Sequence, residues 1–241
     1  MMVYPNFAKC LKESADWFKE RGIPGIPDSW VKFVNLDHGL RNPTAVYWSA
    51  IDPDRNLVVT YDEYYKPGLV PDHAPVIKPK IDAISSGRLQ FMVADPSIRN
   101  KTDPINGKSV QSIYQEYGLY FSEGNNSLDM GLMKVNSYIN RGKWVILKDK
   151  CPNLAREGIG YKYPELSMDD KKNPDEKPEK KNDHAMDSMR YGFARLPDDP
   201  DQLKTIAGEP PKKYTKEDED SVYDDEYDDE YENGRDYLSY V

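Results

Sequence analysis

The stretch Asn182-Asp183-His184-Ala185-Met186-Asp187-Ser188-Met189-Arg190-Tyr191 concentrates more potential chemistry than any other part of this 241-residue chain. Asp183 and Asp187 are four apart, and His184 and Asp187 three apart, so a helix carries all three on one face. Carboxylates gathered on one helical face repel, and such a face belongs in solvent or around a metal ion. Asp183 is the natural N-cap of the helix. Asp187 lies inside it, where capping cannot account for it and metal ligation or an exposed salt bridge must. His184 has the chemistry to ligate a metal, orient a water or shuttle a proton, although a histidine at a helix start is as often merely exposed.

Two upstream acids have a related setting. Asp37 ends the run Val31-Lys32-Phe33-Val34-Asn35-Leu36, and Asp95 ends Leu89-Gln90-Phe91-Met92-Val93-Ala94. The C-terminal ends of strands in an α/β sheet are where ligands bind. Gly39, two residues after Asp37, would let a substrate backbone approach. Taken singly, each acid also fits a turn or a cap. Three elements that each present an acid can together hold divalent cations for phosphate chemistry. Glu63 and Asp62 sit on a third strand and must point to opposite faces, which makes Glu63 a weak further candidate. Arg41, Arg99, Lys101 and Lys108 fall in loops beside these acids and are candidate contacts for DNA phosphates. Gly107-Lys108-Ser109 looks like the end of a phosphate-binding P-loop, but Thr102 stands where that motif needs its first glycine.

The elements that must position these groups follow from periodicity. A helix is expected over residues 5–21, then a break at Gly22, Pro24, Gly25 and Pro27. Strands at 31–36, 44–51 and 57–65 form an antiparallel meander. A helix over 75–87 precedes the strand 89–94. A helix over 109–117, a short strand at 119–121, a helix marked by Leu128, Leu132, Val135 and Ile139, and a strand at 144–147 follow. Residues 167–182 read as a flexible loop and 183–195 as the last helix. The pattern is a mixed α/β sheet flanked by helices.

Charge is divided unevenly along the chain. Residues 215–241 hold 12 acids and 2 bases, and the remainder holds 30 acids and 31 bases. The net charge of −9 therefore describes an acidic tail, read as disordered, on a near-neutral body, and it does not exclude a nucleic-acid partner. Two cysteines, Cys10 and Cys151, have no zinc or disulfide spacing and point to a reducing compartment. No apolar run approaches a membrane span and there is no signal-peptide pattern, so a soluble, intracellular protein with no membrane partner is expected.

In order along the chain, the acids resemble the nuclease domain of phage large terminases. The resemblance rests on Asp37-His38-Gly39 with Asn42-Pro43-Thr44-Ala45, on Asp62-Glu63, on Asp95-Pro96-Ser97, on the segment from Cys151 through Glu157 to Tyr163, and most specifically on Asp183 to Tyr191. It covers roughly residues 30–195. It implies a ribonuclease H-like fold over 30–196, preceded at 1–29 by a helix and linker left from an upstream packaging ATPase, and followed at 197–241 by the acidic, largely disordered tail. It implies a DNA endonuclease of little sequence specificity that cuts concatemeric viral DNA in the cytoplasm of an infected bacterium, using two Mg²⁺ or Mn²⁺ ions. Asp37, Asp95 and Asp187 would be the metal-binding triad, with Asp37 bridging and Asp183 and His184 accessory. Double-stranded DNA, the ATPase domain of the same polypeptide, a portal protein and a small terminase subunit would be partners. Clustered carboxylates raise one another's proton affinity, so metal binding without DNA is expected to be weak. Another ribonuclease H-like nuclease, such as a resolvase or transposase core, is the nearest alternative, and a non-catalytic docking module of a packaging complex is the alternative of a different class.

Overall fold

A computed structural model describes residues 1–105, 107–165 and 177–208. The acidic run from 215 onward and most of the expected loop at 167–182 lie outside the described residues. The described residues belong to one compact unit, Met1–Pro211.

The sheet grows from the expected meander. Strands β1 (Leu11–Lys12), β2 (Lys32–Asp37), β3 (Thr44–Asp52), β4 (Leu57–Lys66), β5 (Leu89–Ala94), β6 (Ser122–Glu123) and β7 (Trp144–Leu147) lie in the order β1-β7-β4-β3-β2-β5-β6. β2, β3 and β4 pair antiparallel, while β5 runs parallel to β2, β6 to β5, and β7 to β4 and β1. Helices α1 (Ser14–Arg21), α2 (Val70–Asp82), α3 (Val110–Glu116), α4 (Leu128–Asn140), α5 (Pro152–Gly160), α6 (His184–Ala194) and α7 (Leu203–Gly208) surround it.

Alternation along β2 sorts the two faces. Phe33 joins the core cluster that contains Tyr138, Ala185, Met189 and Phe193, so this face packs on α4 and α6. Val34 and Leu36 join the opposite cluster with Ala74, Ile77, Ile113 and Tyr114, from α2 and α3. With both faces covered, every residue of β2 is buried. Even Lys32 conforms, because its Nζ folds back onto the carbonyls of Pro27, Asp28 and Trp30 at 3.0–3.2 Å.

Several elements differ from the sequence expectation. The N-terminal helix does not run through 5–21: Phe7–Cys10 forms a 3₁₀ turn, Leu11–Lys12 pairs with β7, and only then does α1 begin. Phe7 and Trp17 are buried, and Phe7 meets Trp144 edge-on at 5.7 Å. α2 starts at Val70, five residues before the expected position, despite Pro71, Pro75 and Pro79. The prolines recur every four residues on an exposed stripe, so the carbonyls deprived of a partner face water. β6 lies at Ser122–Glu123, just past the expected 119–121. α5 (Pro152–Gly160) was not expected: Pro152 stands at its first position, but Gly158 and Gly160 weaken the helical pattern. Within the segment grouped with the tail, residues 200–208 form a 3₁₀ turn and α7, with Leu203 buried. Cys10 and Cys151 are buried free thiols.

Two outcomes test this packing. Phe7→Ala should cost about 3–5 kcal/mol in urea unfolding, as for a fully buried core aromatic. α1 is capped from a distance: Asp149 Oδ1 accepts from the Ser14 amide at 2.8 Å, and its other oxygen accepts from the Ser14 hydroxyl. Burial opposes the charge, but these bonds hold the Asp149 carboxyl below its usual range. That stabilisation is present above the unfolded value of about 3.9 and is lost as pH falls through the lowered folded value. Asp149→Ala should destabilise by about 1 kcal/mol at pH 7, and the gap from wild type in urea midpoints should close in that acid window.

Candidate active site

Asp37 shares the face of Phe33 and Asn35, so β2 itself aims it at α6. Asn35 anchors that helix by donating from Nδ2 to Ser188 Oγ at 2.9 Å, and Gly192 is needed there because a Cβ would stand 2.8 Å from Asn35 Oδ1. Parallel pairing sets Ala94 beside Leu36, and the Asp95 amide donates to the Leu36 carbonyl at 3.1 Å. Asp95 therefore leaves β5 next to the end of β2. The first turn of α6 adds His184 and Asp187. The result is a cleft of about 880 Å³ lined by Asp37, Asp95, Asp183, His184 and Asp187 together with basic residues.

Burial pushes the Asp37 carboxyl up, and the charges of Asp187 and Asp95 push it further, against a hydrogen bond from His184 that lowers it. His184 Nδ1 lies 3.2 Å from Asp37 Oδ2, and this hydrogen bond raises the imidazole above its ordinary value. Asp95 follows the opposite course: burial would raise it, but the Ser97 hydroxyl and amide and the nearby Lys101 bring it below the usual range. Lys101 Nζ stands 3.4 Å from Asp95 Oδ2. Lys180 Nζ stands 3.0 Å from Asp187 Oδ2 and 3.4 Å from Asp183 Oδ2. Arg190, only 4% exposed, brings Nε and Nη2 to 3.4 Å from Asp187 Oδ1. Asp95, Asp183 and Asp187 are thus each matched by a lysine or arginine, whereas Asp37 has only the His184 imidazole. Asp187 meets the salt-bridge reading as well as facing the cleft.

Asp183 occupies the N-cap position without capping: its side chain makes no cap hydrogen bond. Glu157 Oε2, from α5, accepts from the Ala185 amide at 2.7 Å instead. Glu63 is also a cap and does not line the cleft. Its oxygens accept from the Asn153 and Leu154 amides at 3.0 and 3.2 Å, at the start of α5. Asp62, as alternation requires, points the other way, to Lys80 at 2.7 Å.

Of the proposed DNA contacts, Arg41 and Lys101 line the cleft. Arg99 pairs with Glu123, and Lys108 with Glu116; neither lines it. Ser109 is the N-cap of α3, accepting from the Ser112 amide, which accounts for the P-loop-like residues structurally. Arg156, Lys180 and Lys181 line the cleft and were missed. Lys180 carried a signal, since it precedes Asp183 by three and Asp187 by seven residues.

The loop after Asp37 is fixed from the opposite face. Tyr64 Oη lies 2.9 Å from His73 Nδ1, and His73 Nε2 lies 3.0 Å from Thr44 Oγ1. Thr44 Oγ1 accepts from the Gly39 amide and donates to the Gly39 carbonyl. Gly39, which lines the cleft, is also required by its own turn, because a Cβ would come within 2.4 Å of the Asn42 carbonyl oxygen. His38 faces Tyr114 at 3.2 Å; burial, then His73 and Lys101, push its pKa down to about 3.

No family model and no curated protein matches this chain. Solved structures do. The P22 large terminase nuclease domain matches over 80% of this chain and 91% of its own, with a TM-score of 0.59 at 14% identity. The fold is that of the large-terminase nuclease domains. The large terminase of a thermophilic bacteriophage matches over 80% of this chain with a TM-score of 0.62 at 19% identity, and the match spans 44% of that longer protein. The nuclease domain of the bacteriophage SPP1 large terminase, solved with bound Mn, matches over 68% of this chain and 86% of its own, with a TM-score of 0.51 at 20% identity. The ribonuclease H-like, mixed α/β architecture expected from the sequence is therefore present.

The cleft depends on close packing behind Asp187. A Cβ on Gly131 of α4 would stand 2.3 Å from Arg190 Cγ. Gly131→Ala should destabilise by about 1–3 kcal/mol in urea melts. The penalty should largely vanish in an Arg190→Ala background, where the clash has no partner.

Proposed function

We propose that this protein is a divalent-metal-dependent DNA endonuclease domain that cuts viral DNA during genome packaging in the cytoplasm of an infected bacterium. The observation that carries the proposal is the convergence of Asp37, Asp95 and Asp187, from two strand ends and one helix, on one basic-rimmed cleft in a large-terminase nuclease fold.

Among the described residues, no three His, Cys, Asp or Glu side chains converge as they stand closely enough to hold an ion. The donor set nevertheless fits a hard cation. Its ligands are carboxylate oxygens, and Asp37 carries an electrostatic penalty from both Asp95 and Asp187 that a cation would relieve. Lys101 and Lys180 at present answer part of that charge. Asp37, Asp95 and Asp187 would hold two Mg²⁺ or Mn²⁺ ions, with Asp183 beside them. When bound, such ions polarise a phosphodiester and make water a stronger nucleophile.

The chain's own side chains supply the rest. His184 holds or releases a proton at Nδ1 beside Asp37, within reach of the reacting centre. Arg41, Lys101, Arg156, Lys180 and Lys181 present positive charge to a phosphate backbone. These contacts read charge and not base identity, which accords with cutting of low sequence specificity. An upstream ATPase domain, a portal protein and a small terminase subunit belong to this proposal as partners.

Plasmid DNA incubated with Mn²⁺ or Mg²⁺ should be nicked and linearised, and chelation should stop it. Asp37→Ala and Asp187→Ala should each lower the rate at least about 10²-fold, with unfolding midpoints measured alongside. An Asp187→Ala protein that cuts as fast as wild type would sink the assignment. Junction-specific cutting or strand transfer would favour a resolvase or transposase core. Absence of both cutting and Mn²⁺ binding with DNA present would favour a docking module.

A further inference from the structure

Three buried features of the site region are not used by the proposed chemistry: the His73–Thr44–Tyr64 network, the Arg190 clamp and Glu157. Glu157 carries the argument furthest. It is an acid only 2% exposed, on a different helix from the one it serves. Its two oxygens are separately employed, Oε1 accepting from the Tyr65 hydroxyl and Oε2 from the Ala185 amide at 2.7 Å. Ala185 is the second residue of α6, whose amide the N-cap side chain would ordinarily serve. Asp183 holds the N-cap position but makes no cap bond. Among the described residues its Oδ2 is buried without a hydrogen-bond partner and meets Lys180 in an ion pair at 3.4 Å, and it belongs to a residue 5% exposed that lines the cleft.

A buried carboxylate oxygen without a hydrogen bond is costly to leave so, and a cap bond lies within local reach. The Ala185 amide is already taken, and the Asp183 backbone, at φ −116° and ψ −1°, is helical rather than in the extended conformation from which a side chain caps. We infer that Glu157 is a positioning residue that caps α6 in place of Asp183, and by doing so leaves the Asp183 carboxylate free to serve a cation in the cleft.

This inference rests on the metal-centre reading for the role of Asp183 but not for the exchange of capping partner. Tyr65, on β4, holds the other oxygen of Glu157, so the acceptor is fixed by an element outside α6. Asp183 is thereby a residue of capping type, at a capping position, held for a different use.

The test combines amide hydrogen exchange on the metal-free protein with Mn²⁺ titration followed by electron paramagnetic resonance. In the wild-type background, Asp183→Ala should leave exchange at Ala185 and Met186 unchanged and weaken Mn²⁺ binding roughly tenfold, about the effect of losing one supporting ligand. In a Glu157→Ala background, where Asp183 must swing back to cap, adding Asp183→Ala should accelerate the same amides roughly tenfold, the scale of a lost N-cap. Glu157→Ala alone should weaken Mn²⁺ binding by a similar factor. Glu157→Gln, which keeps an oxygen acceptor for the Ala185 amide, should restore it to within about twofold of wild type. Faster exchange in Asp183→Ala alone would show that Asp183 is the cap and overturn the inference, and that measurement does not depend on Glu157→Ala folding. Unchanged Mn²⁺ affinity in Glu157→Ala, with wild type binding the ion, would reduce Glu157 to a structural cap and also overturn it. A wild type that binds no Mn²⁺ would instead defeat the metal-centre reading, while the exchange cycle would still decide which carboxylate caps α6.

Discussion

The site depends on β2 being buried on both faces while running parallel to β5. Burial fixes the register of β2, because a one-residue slip would turn Asn35 and Asp37 away from α6 and bring His38 onto it. Parallel pairing then brings the ends of both strands to the same edge of the sheet, where Asp95 leaves its strand beside Asp37. The remaining construction holds α6 against this edge. Asn35 bonds Ser188, Gly192 admits the close approach, and Phe193 packs on Trp144 and Tyr138.

This geometry carries an electrostatic cost, since it gathers carboxylates in a partly desolvated cleft. The molecule manages the cost with cations of different kinds. Arg190 is buried behind Asp187 and cannot leave without opening the packing around Gly131. Lys180 is mostly exposed, with 72% of its side chain accessible, and Lys101 is nearly half exposed. The buried guanidinium is part of the scaffold, whereas the two lysines hold their acids through flexible stems that solvent already reaches.

Much of the sheet was legible because alternation and apolar runs are local signals. β3, β4, β5 and β7 lie within two residues of their expected bounds. The acids at strand ends were legible for the same reason. What local pattern could not show was partnership at long range. Glu63 read as a weak site candidate because nothing in Tyr61-Asp62-Glu63 reveals that its partners are amides 90 residues onward. Asp183 read as a cap because its position is a capping position, and only the structure shows Glu157 in that role. α1 was merged with the turn before it because the strand that separates them is two residues long and exists through pairing with β7. α2 accommodates Pro71, Pro75 and Pro79 because all three fall on its exposed stripe, a placement that only the fold reveals.

The distant caps described above have a bearing on how the molecule matures. Asp149 serves α1, Glu63 serves α5, and Glu157 serves α6. For the last two, the order is a relay: β4 starts α5, and α5 starts α6, which carries His184 and Asp187. Starting a helix is its unfavourable step, and here that step awaits a neighbour distant in sequence. A newly made or partly opened chain therefore lacks α6 in its final setting and, with it, one wall of the cleft. The cleft that gathers Asp37, Asp95 and Asp187 is thus complete only in the finished fold.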